Sequence, residues 1–249
     1  MKRFENQRVF DTNTDHPACA TARNLENYGE ATLDLLGRLA GSGARHLVVL
    51  MRHSAREFHP DRHDLENPLT QIGRARARDV GERLPKDMTV RAYASPPERC
   101  METAALILDG HRQGGGVATR HRPLEALGVF YALDQMKMWK AMSEAGGLVP
   151  FIGAWVRGET PRDAMMPAQT AARLLADVLA EKLRQPVAER QIDLCVSHDM
   201  TLYLLREVLL GEPAHGPEVG FMDALVLYEG DDGLWLTSHH GEPRRLEMA

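Results

Sequence analysis

Short apolar runs that alternate with amphipathic segments most limit what this chain can fold into. Residues 47–51 form an apolar run of the length expected for one buried strand. Residues 90–95 and 192–197 have the composition of two further strands, and helical patterns occupy much of the chain between them. Because such alternation favours a mostly parallel sheet covered on both faces, we predict an α/β three-layer sandwich.

Capping and helix-stopping residues mark the ends of the predicted elements. We predict five helices. One runs from Thr70, as N-cap, to Leu84, and another covers 97–108. The other three end at residues 41–43, at Pro186 and at Gly211. Pro97 suits the first position of its helix because the N–H that proline lacks is not needed there. Residues 223–239 predict an antiparallel hairpin that turns at 230–233.

The sequence divides into an arm and one domain. Residues 1–28 are polar and lack periodicity, so we interpret them as an N-terminal arm of loose structure. Residues 29–249 are predicted to form a single α/β domain. Within it, residues 128–166 are rich in Met, Gly and Trp and contain no clear strand, so we interpret them as a cap-like insertion.

Composition argues against several classes of protein. The net charge of −5 and the absence of a basic footprint argue against broad nucleic-acid binding. No apolar run approaches the roughly 18 residues of a membrane span, and the N-terminal residues contain no apolar signal core. Three widely spaced cysteines are typical of reduced thiols, so we expect a cytoplasmic protein without a membrane partner. The oligomeric state stays open.

Polar residues, most of them arginine or histidine, follow each of the three predicted strands. They are Arg52, His53 and Arg56 after the first, Arg99 in the first turn of the helix after the second, and His198 with Asp199 after the third. Ligands of such sheets bind beyond the carboxyl ends of the strands. A helix N-terminus and planar guanidinium groups both suit a tetrahedral anion, so we predict a phosphate pocket.

Four ordered segments resemble a known family. "VVLMRHSAREF", "NPLTQIGRARA", "YASPPERCMETA" and "LCVSHDMTLYLL" are similar to motifs of the histidine phosphatase superfamily, which includes phosphoglycerate mutase-like and histidine acid phosphatases. The resemblance covers about residues 46–210. It implies a phosphoglycerate mutase-like α/β core and a phosphohistidine intermediate.

On this resemblance, His53 is the predicted nucleophile. Arg52, Arg56 and Arg99, together with His198, are predicted to hold the phosphate and to keep the His53 ring neutral. The family usually has Gly where this chain has Ser54, so we expect Ser54 to leave room for phosphate and to donate a hydrogen bond to it. Because the guanidinium groups supply positive charge, we expect neither metal nor cofactor.

Two carboxyl groups are candidates for protonating the leaving group. Asp199 resembles the donor of the acid-phosphatase branch, and Glu125, in "HRPLEALGVF", resembles the mutase-like donor. Asp199 could instead cap the helix that follows it, and Glu125 could be a surface residue. From the sequence we prefer Asp199 and keep Glu125 as the alternative.

These features predict a phosphomonoester hydrolase that acts on a small phosphorylated metabolite. The alternatives are a phosphoglycerate mutase-like phosphotransferase and a non-catalytic phosphate-binding module. Sparse basic residues in 128–166 favour a monophosphate with an apolar or neutral body. His59 and His63 have a spacing that could bind metal, but we interpret their segment as an active-site loop.

Overall fold

The computed structural model describes residues 27–59 and 66–247. Most of the predicted N-terminal arm, and His63, therefore lie outside the described residues. The helices are α1 (Glu30–Gly41), α2 (Gln71–Arg83), α3 (Glu98–Gln113), α4 (Gln135–Glu144), α5 (Leu148–Val156), α6 (Ala168–Arg184) and α7 (Asp199–Leu205). The strands are β1 (His46–Arg52), β2 (Thr89–Ala94), β3 (Ala118–Pro123), β4 (Gln191–Ser197), β5 (Ala224–Gly230), β6 (Gly233–Ser238) and β7 (Arg244–Leu246).

One seven-stranded sheet organises the fold. Its strand order is β3-β2-β4-β1-β5-β6-β7. The first four strands in this order are parallel, and β5, β6 and β7 extend the sheet by antiparallel pairing. The predicted mostly parallel sheet and the predicted β5–β6 hairpin are confirmed, whereas β7 was not predicted.

Helices cover the sheet on both faces, as predicted. Alternate residues of β1 point to opposite faces: Leu47, Val49 and Met51 pack with α1, α2 and α3, whereas Val48 and Leu50 pack with α5, α6 and α7. Because β1 lies near the middle of the sheet, all of these residues are buried. The chain therefore forms the predicted three layers.

Helix boundaries follow the predicted signals with small differences. The Thr70 hydroxyl accepts a hydrogen bond from the Gly73 N–H, which confirms the predicted N-cap of α2. Pro97 is the N-cap of α3 and not its first helical residue. α3 also extends to Gln113, five residues past the predicted end, because its stop is Gly114. After α7 the chain continues as a π-helical turn, Arg206–Leu210, to the predicted end at Gly211.

Two glycines let α2 and α3 approach closely. A Cβ at Gly81 would lie 2.0 Å from the Ile107 carbonyl oxygen, and one at Gly110 would lie 2.0 Å from that of Arg78. Only glycine leaves room for backbone against backbone at this distance. The close contact fixes α3, whose first turn carries Arg99.

The 128–166 segment forms α4 and α5 and no strand, apart from an isolated bridge between Ala132 and Met165. Two of its aromatic residues belong to the core on the face of the sheet that α5, α6 and α7 cover: Tyr131 and Trp155 are buried, with ring centroids 4.9 Å apart. Trp139, in contrast, is 41% exposed. The segment is thus packed onto the main core along one side and leaves large apolar side chains on the other.

No helix in the two described ranges combines the length and apolarity needed to cross a bilayer. Cys100 and Cys195 are buried free thiols, and Cys195 lies in β4 as predicted.

Candidate active site

The site lies at the carboxyl ends of the three central parallel strands. In the sheet register Arg52 pairs with Ser197, and Ala94 pairs with Val196, so β1, β4 and β2 end side by side. The backbone N–H of His53 extends this pairing with a 3.0 Å hydrogen bond to the Ser197 carbonyl. The side chains that follow each strand are therefore held close together, although they are far apart in sequence.

His53 lies at the centre of this group with a defined tautomer. The side chain is buried, and its Nδ1 lies 2.8 Å from the Ser54 carbonyl oxygen, which can only accept a hydrogen bond. Nδ1 therefore carries the proton, and Nε2 has a free lone pair. Arg99 Nε donates to that Nε2 at 3.1 Å. The nitrogen with nucleophilic character thus faces the guanidinium that would bind an incoming anion.

The surroundings of His53 disfavour its protonated form. Burial, followed by the positive charge of Arg99, the neighbouring His198 and Arg52, lowers the pKa of His53 well below its usual 6.5. The sequence interpretation attributed this effect to the arginines, but burial is the largest cause. At neutral pH the ring is therefore uncharged and able to act as a nucleophile.

Arg99, in the helix after β2, and His198, directly after β4, complete the site. Arg99, in the first turn of α3, is 3% exposed, and its Nη2 lies 3.4 Å from His198 Nδ1. Since a guanidinium only donates, Nδ1 accepts, and His198 Nε2 donates to the Ser95 hydroxyl at 2.9 Å. The rings of His53 and His198 are 5.7 Å apart and nearly perpendicular.

Arg52 is held in place from three sides. It donates to the Val219 carbonyl at 2.6 Å, it forms a 2.9 Å ion pair with Asp199, and its guanidinium lies 4.3 Å from the centroid of the Phe221 ring. Burial raises the pKa of Asp199, but Arg52 and the Met200 N–H outweigh burial, so that the pKa is lowered overall. Asp199 is therefore a carboxylate at neutral pH.

Arg56 and Ser54 differ in how they relate to the site. Arg56 forms a bridge with Leu69, and its charge helps to lower the pKa of Asp199, so it faces the same region. The Ser54 hydroxyl is fully buried and donates to the Gly73 carbonyl of α2 at 2.8 Å. Its proton is thus directed into the protein and away from the site, which does not match the hydrogen bond to phosphate expected from the sequence.

A cleft of about 430 Å³ borders this group of side chains. Arg99, His198, Asp199 and Glu125 line it, whereas Arg52 and His53 do not. Glu125 begins the 3₁₀ turn Glu125–Leu127 after β3, its side chain is exposed, and it forms no ion pair within the described part of the chain. The remaining lining is mostly apolar: Pro96, Pro97, Val129, Phe130, Ala132, Met138, Trp139 and Met200.

Sequence reasoning missed several residues that support the site. Ser95 fixes the His198 ring, and it directly follows β2, a position that could have identified it. The Thr103 hydroxyl accepts from the Ser54 N–H, one turn after Arg99 on the same helix. Phe221 and Val219 lie in a loop far along the chain without a distinctive pattern, and only the fold brings them to Arg52.

Comparison with known proteins identifies a matching family and similar structures. Residues 48–227 match the histidine phosphatase superfamily (branch 1). No curated protein matches the chain. Similar solved structures include Bacillus stearothermophilus YhfR, at 18% identity and a TM-score of 0.53, covering 78% of this chain and 96% of that one.

Two further structures share this fold at similar identity. A phosphoglycerate mutase from Bacillus anthracis strain Sterne is 20% identical with a TM-score of 0.52, covering 78% of this chain and 93% of its own. A phosphoserine phosphatase from Entamoeba histolytica, in complex with 3-phosphoglyceric acid, is 18% identical with a TM-score of 0.51, covering 80% and 94%. The match to branch 1 spans most of the chain, including the strand ends that carry His53, Arg99 and His198, and the chain belongs to the histidine phosphatase superfamily.

Proposed function

We propose that this chain is a phosphomonoester hydrolase that forms a phosphohistidine on His53. The observation that carries the proposal is the neutral His53 Nε2, 3.1 Å from the Arg99 guanidinium. Phosphoryl transfer depends mainly on placement and charge neutralisation, and this pair supplies a nucleophile and a cation at one point. Family membership supports the reaction class, which includes both phosphatases and mutases.

The proposed reaction has two steps. His53 Nε2 forms a bond to phosphorus while the bond from phosphorus to the ester oxygen breaks, and a carboxylic acid protonates the departing alkoxide. Water then attacks the phosphohistidine, the P–N bond breaks, and the same carboxylate accepts the proton of the water. Arg99 and Arg52 hold the phosphoryl oxygens during both steps, His198 donates to them once its Nδ1 is protonated, and Arg56 adds positive charge nearby. Ser54 has no part in binding phosphate.

We assign the proton donor to Glu125 and not to Asp199, which was preferred from the sequence. Asp199 pairs with Arg52 at 2.9 Å, and this charge favours the ionised form. Arg52 therefore opposes the protonation that a donor needs before each turnover, and Asp199 is the poorer candidate. Glu125 lines the same cleft without a cationic partner among the described residues, and this supports the assignment.

The two carboxyl groups can be distinguished by the leaving group. We expect Glu125→Gln to lower kcat/KM about 10²- to 10⁴-fold for an alkyl phosphate but much less for p-nitrophenyl phosphate, whose leaving group needs no protonation. Asp199→Asn leaves Arg52 unpaired, so we expect similar losses with both substrates. A leaving-group dependence confined to Asp199→Asn would reverse the assignment.

The cleft favours a phosphate ester with an apolar body. Arg99 is the sole Lys or Arg among the described residues that line it, whereas eight apolar side chains surround the space beyond. Among the described lining residues, a substrate with a second anionic group, such as a phosphoglycerate, would find no further cation. This supports hydrolysis of a monophosphate more than the isomerisation of a phosphorylated acid.

A substrate panel tests the proposed function. We expect release of inorganic phosphate from aryl and alkyl monophosphates, with kcat/KM at least about tenfold above that for 3-phosphoglycerate, because the latter leaves a carboxylate unpaired. Conversion of 3-phosphoglycerate to its isomer without phosphate release would identify a mutase instead. Tight binding of phosphate without turnover of any ester would identify a binding module.

A further inference from the structure

Asp223, His239 and His240 form a second cluster of ionisable side chains, outside the cleft. Asp223 precedes β5, and the two histidines follow β6. Because β5 and β6 are antiparallel, with Leu225 opposite Ser238, the start of one strand lies beside the end of the other. The sheet itself therefore brings the three side chains together.

The spacing of this cluster is close to that of a metal site. His239 Nε2 lies 3.8 Å from Asp223 Oδ1, and His240 Nε2 lies 3.7 Å from Oδ2. One ligand atom from each residue falls within 4.8 Å of the others. Ligands of a tetrahedral zinc ion, bound at about 2.0–2.1 Å, are roughly 3.3–3.4 Å apart, so the three ligand atoms would have to draw together by up to about 1.4 Å.

Hydrogen bonding within the protein does not account for His239. Its Nδ1 is buried without a partner in the described part of the chain, and its Nε2 is too far from Asp223 for a hydrogen bond. Neither ring nitrogen of His239 therefore has a hydrogen-bond partner among the described residues, which leaves the ring able to bind a cation.

The carboxylate of Asp223 is also oriented in advance. Its Oδ2 accepts the Gly220 N–H at 2.7 Å, an outer hydrogen bond of the kind that fixes metal ligands. The three side chains are 14–19% exposed, so the cluster is shielded but reachable from solvent. Two imidazoles and one carboxylate suit zinc or a similar borderline cation better than Mg²⁺ or Ca²⁺.

The same loop supports the active site. The Asp223 carbonyl accepts the Arg52 N–H at 3.0 Å, the Met222 N–H donates to the Arg52 carbonyl at 3.2 Å, and the Val219 carbonyl accepts from the Arg52 guanidinium. We propose that Asp223, His239 and His240 bind one zinc-like divalent cation, with water as fourth ligand, and thereby brace residues 219–223 behind Arg52. The cation takes no part in the chemical steps, and its binding does not depend on the proposed hydrolysis.

Titration of the metal-stripped protein with ZnCl₂ tests the proposal. We expect calorimetry to show one site per chain and the melting temperature to rise by roughly 5 to 10 °C at zinc 100-fold above Kd. Co²⁺ in the same site should give the visible absorption of tetrahedral coordination. MgCl₂ should produce neither effect.

Variants assign the binding to these residues. His240→Gln and Asp223→Asn are expected to weaken zinc binding at least about tenfold, while His215→Gln, at an exposed histidine elsewhere, leaves it unchanged. Asparagine can still accept the Gly220 N–H, and a melting curve in chelator that matches the wild type would show that each variant is folded. The proposal is wrong if the wild type binds no zinc, if both variants bind it normally, or if Mg²⁺ binds equally well.

Discussion

His53→Ala is expected to abolish phosphate release, with kcat falling at least about 10⁴-fold, as for other removed nucleophiles. Alanine lacks the Nε2 lone pair that faces Arg99, so no phosphohistidine can form. The guanidinium groups remain, so we expect the variant still to bind inorganic phosphate. Initial rates with an aryl phosphate, and trapping of ³²P on the acid-quenched protein, measure the two effects.

His121→Ala is the matched control, because His121 lies on β3 away from the cup formed by His53, Arg99 and His198. We expect it to keep wild-type activity. If His53→Ala retained turnover, or if the wild type carried ³²P on another residue, the proposed covalent step would be wrong.

The neutral imidazole of His53 also bears on how kcat/KM depends on pH in the acid range. The pKa of His53 lies well below 6.5 in the folded protein, so the nucleophile stays neutral as the pH falls past 6.5. We therefore expect kcat/KM to persist below pH 6 without loss from this group. In the unfolded chain His53 becomes protonated near pH 6.5, whereas in the folded protein it stays neutral at that pH. Protonation of His53 therefore favours the unfolded state and lowers the stability of the protein as the pH falls below 6.5.

Arg99→Ala is expected to lower kcat/KM by about 10³-fold or more, within the 10³–10⁵ range found for arginines that stabilise phosphoryl transfer. Its guanidinium contacts both His53 and His198, so its loss removes positive charge where negative charge develops. Arg99→Lys should recover only part of the activity, because an ammonium group cannot donate to two oxygens in one plane.

Arg112→Ala, at the exposed end of the same helix α3, is the matched control and should leave kcat/KM unchanged. Inhibition by inorganic phosphate separates binding from catalysis. We expect the Ki to rise much less than kcat falls, because Arg52 and His198 still hold the anion. Equal changes in Ki and in kcat/KM, with kcat unchanged, would make Arg99 a binding residue alone.

Local signals in the sequence were sufficient to predict most of the elements. The apolar run of β1, the Thr70 cap and the stop at Gly211 each have a physical cause within a few residues. The predicted convergence of His53 and His198 followed from one rule about parallel strands, and the structure brings these side chains together.

Features that depend on distant contacts could not be predicted. Nothing near Ser54 shows that its hydroxyl would meet α2, and Phe221 reaches Arg52 only through the path of a loop. The ionisation of Asp199 depends on a partner 147 positions away, since 199 − 52 = 147. β7 is short and exposed, so the apolar pattern that identifies a buried strand is absent.

The way the 128–166 segment is anchored bears on how the specificity of the proposed phosphatase can change. Tyr131 and Trp155 are buried in the main core, so this segment is not a hinged cover that swings away as one piece. Leu133, Met136 and Trp139 are exposed in the same segment and contribute little to that core, and Trp139 lines the cleft. Evolution or protein engineering could therefore replace these three side chains to admit new esters, while the fold and the proposed phosphate-binding residues stay the same.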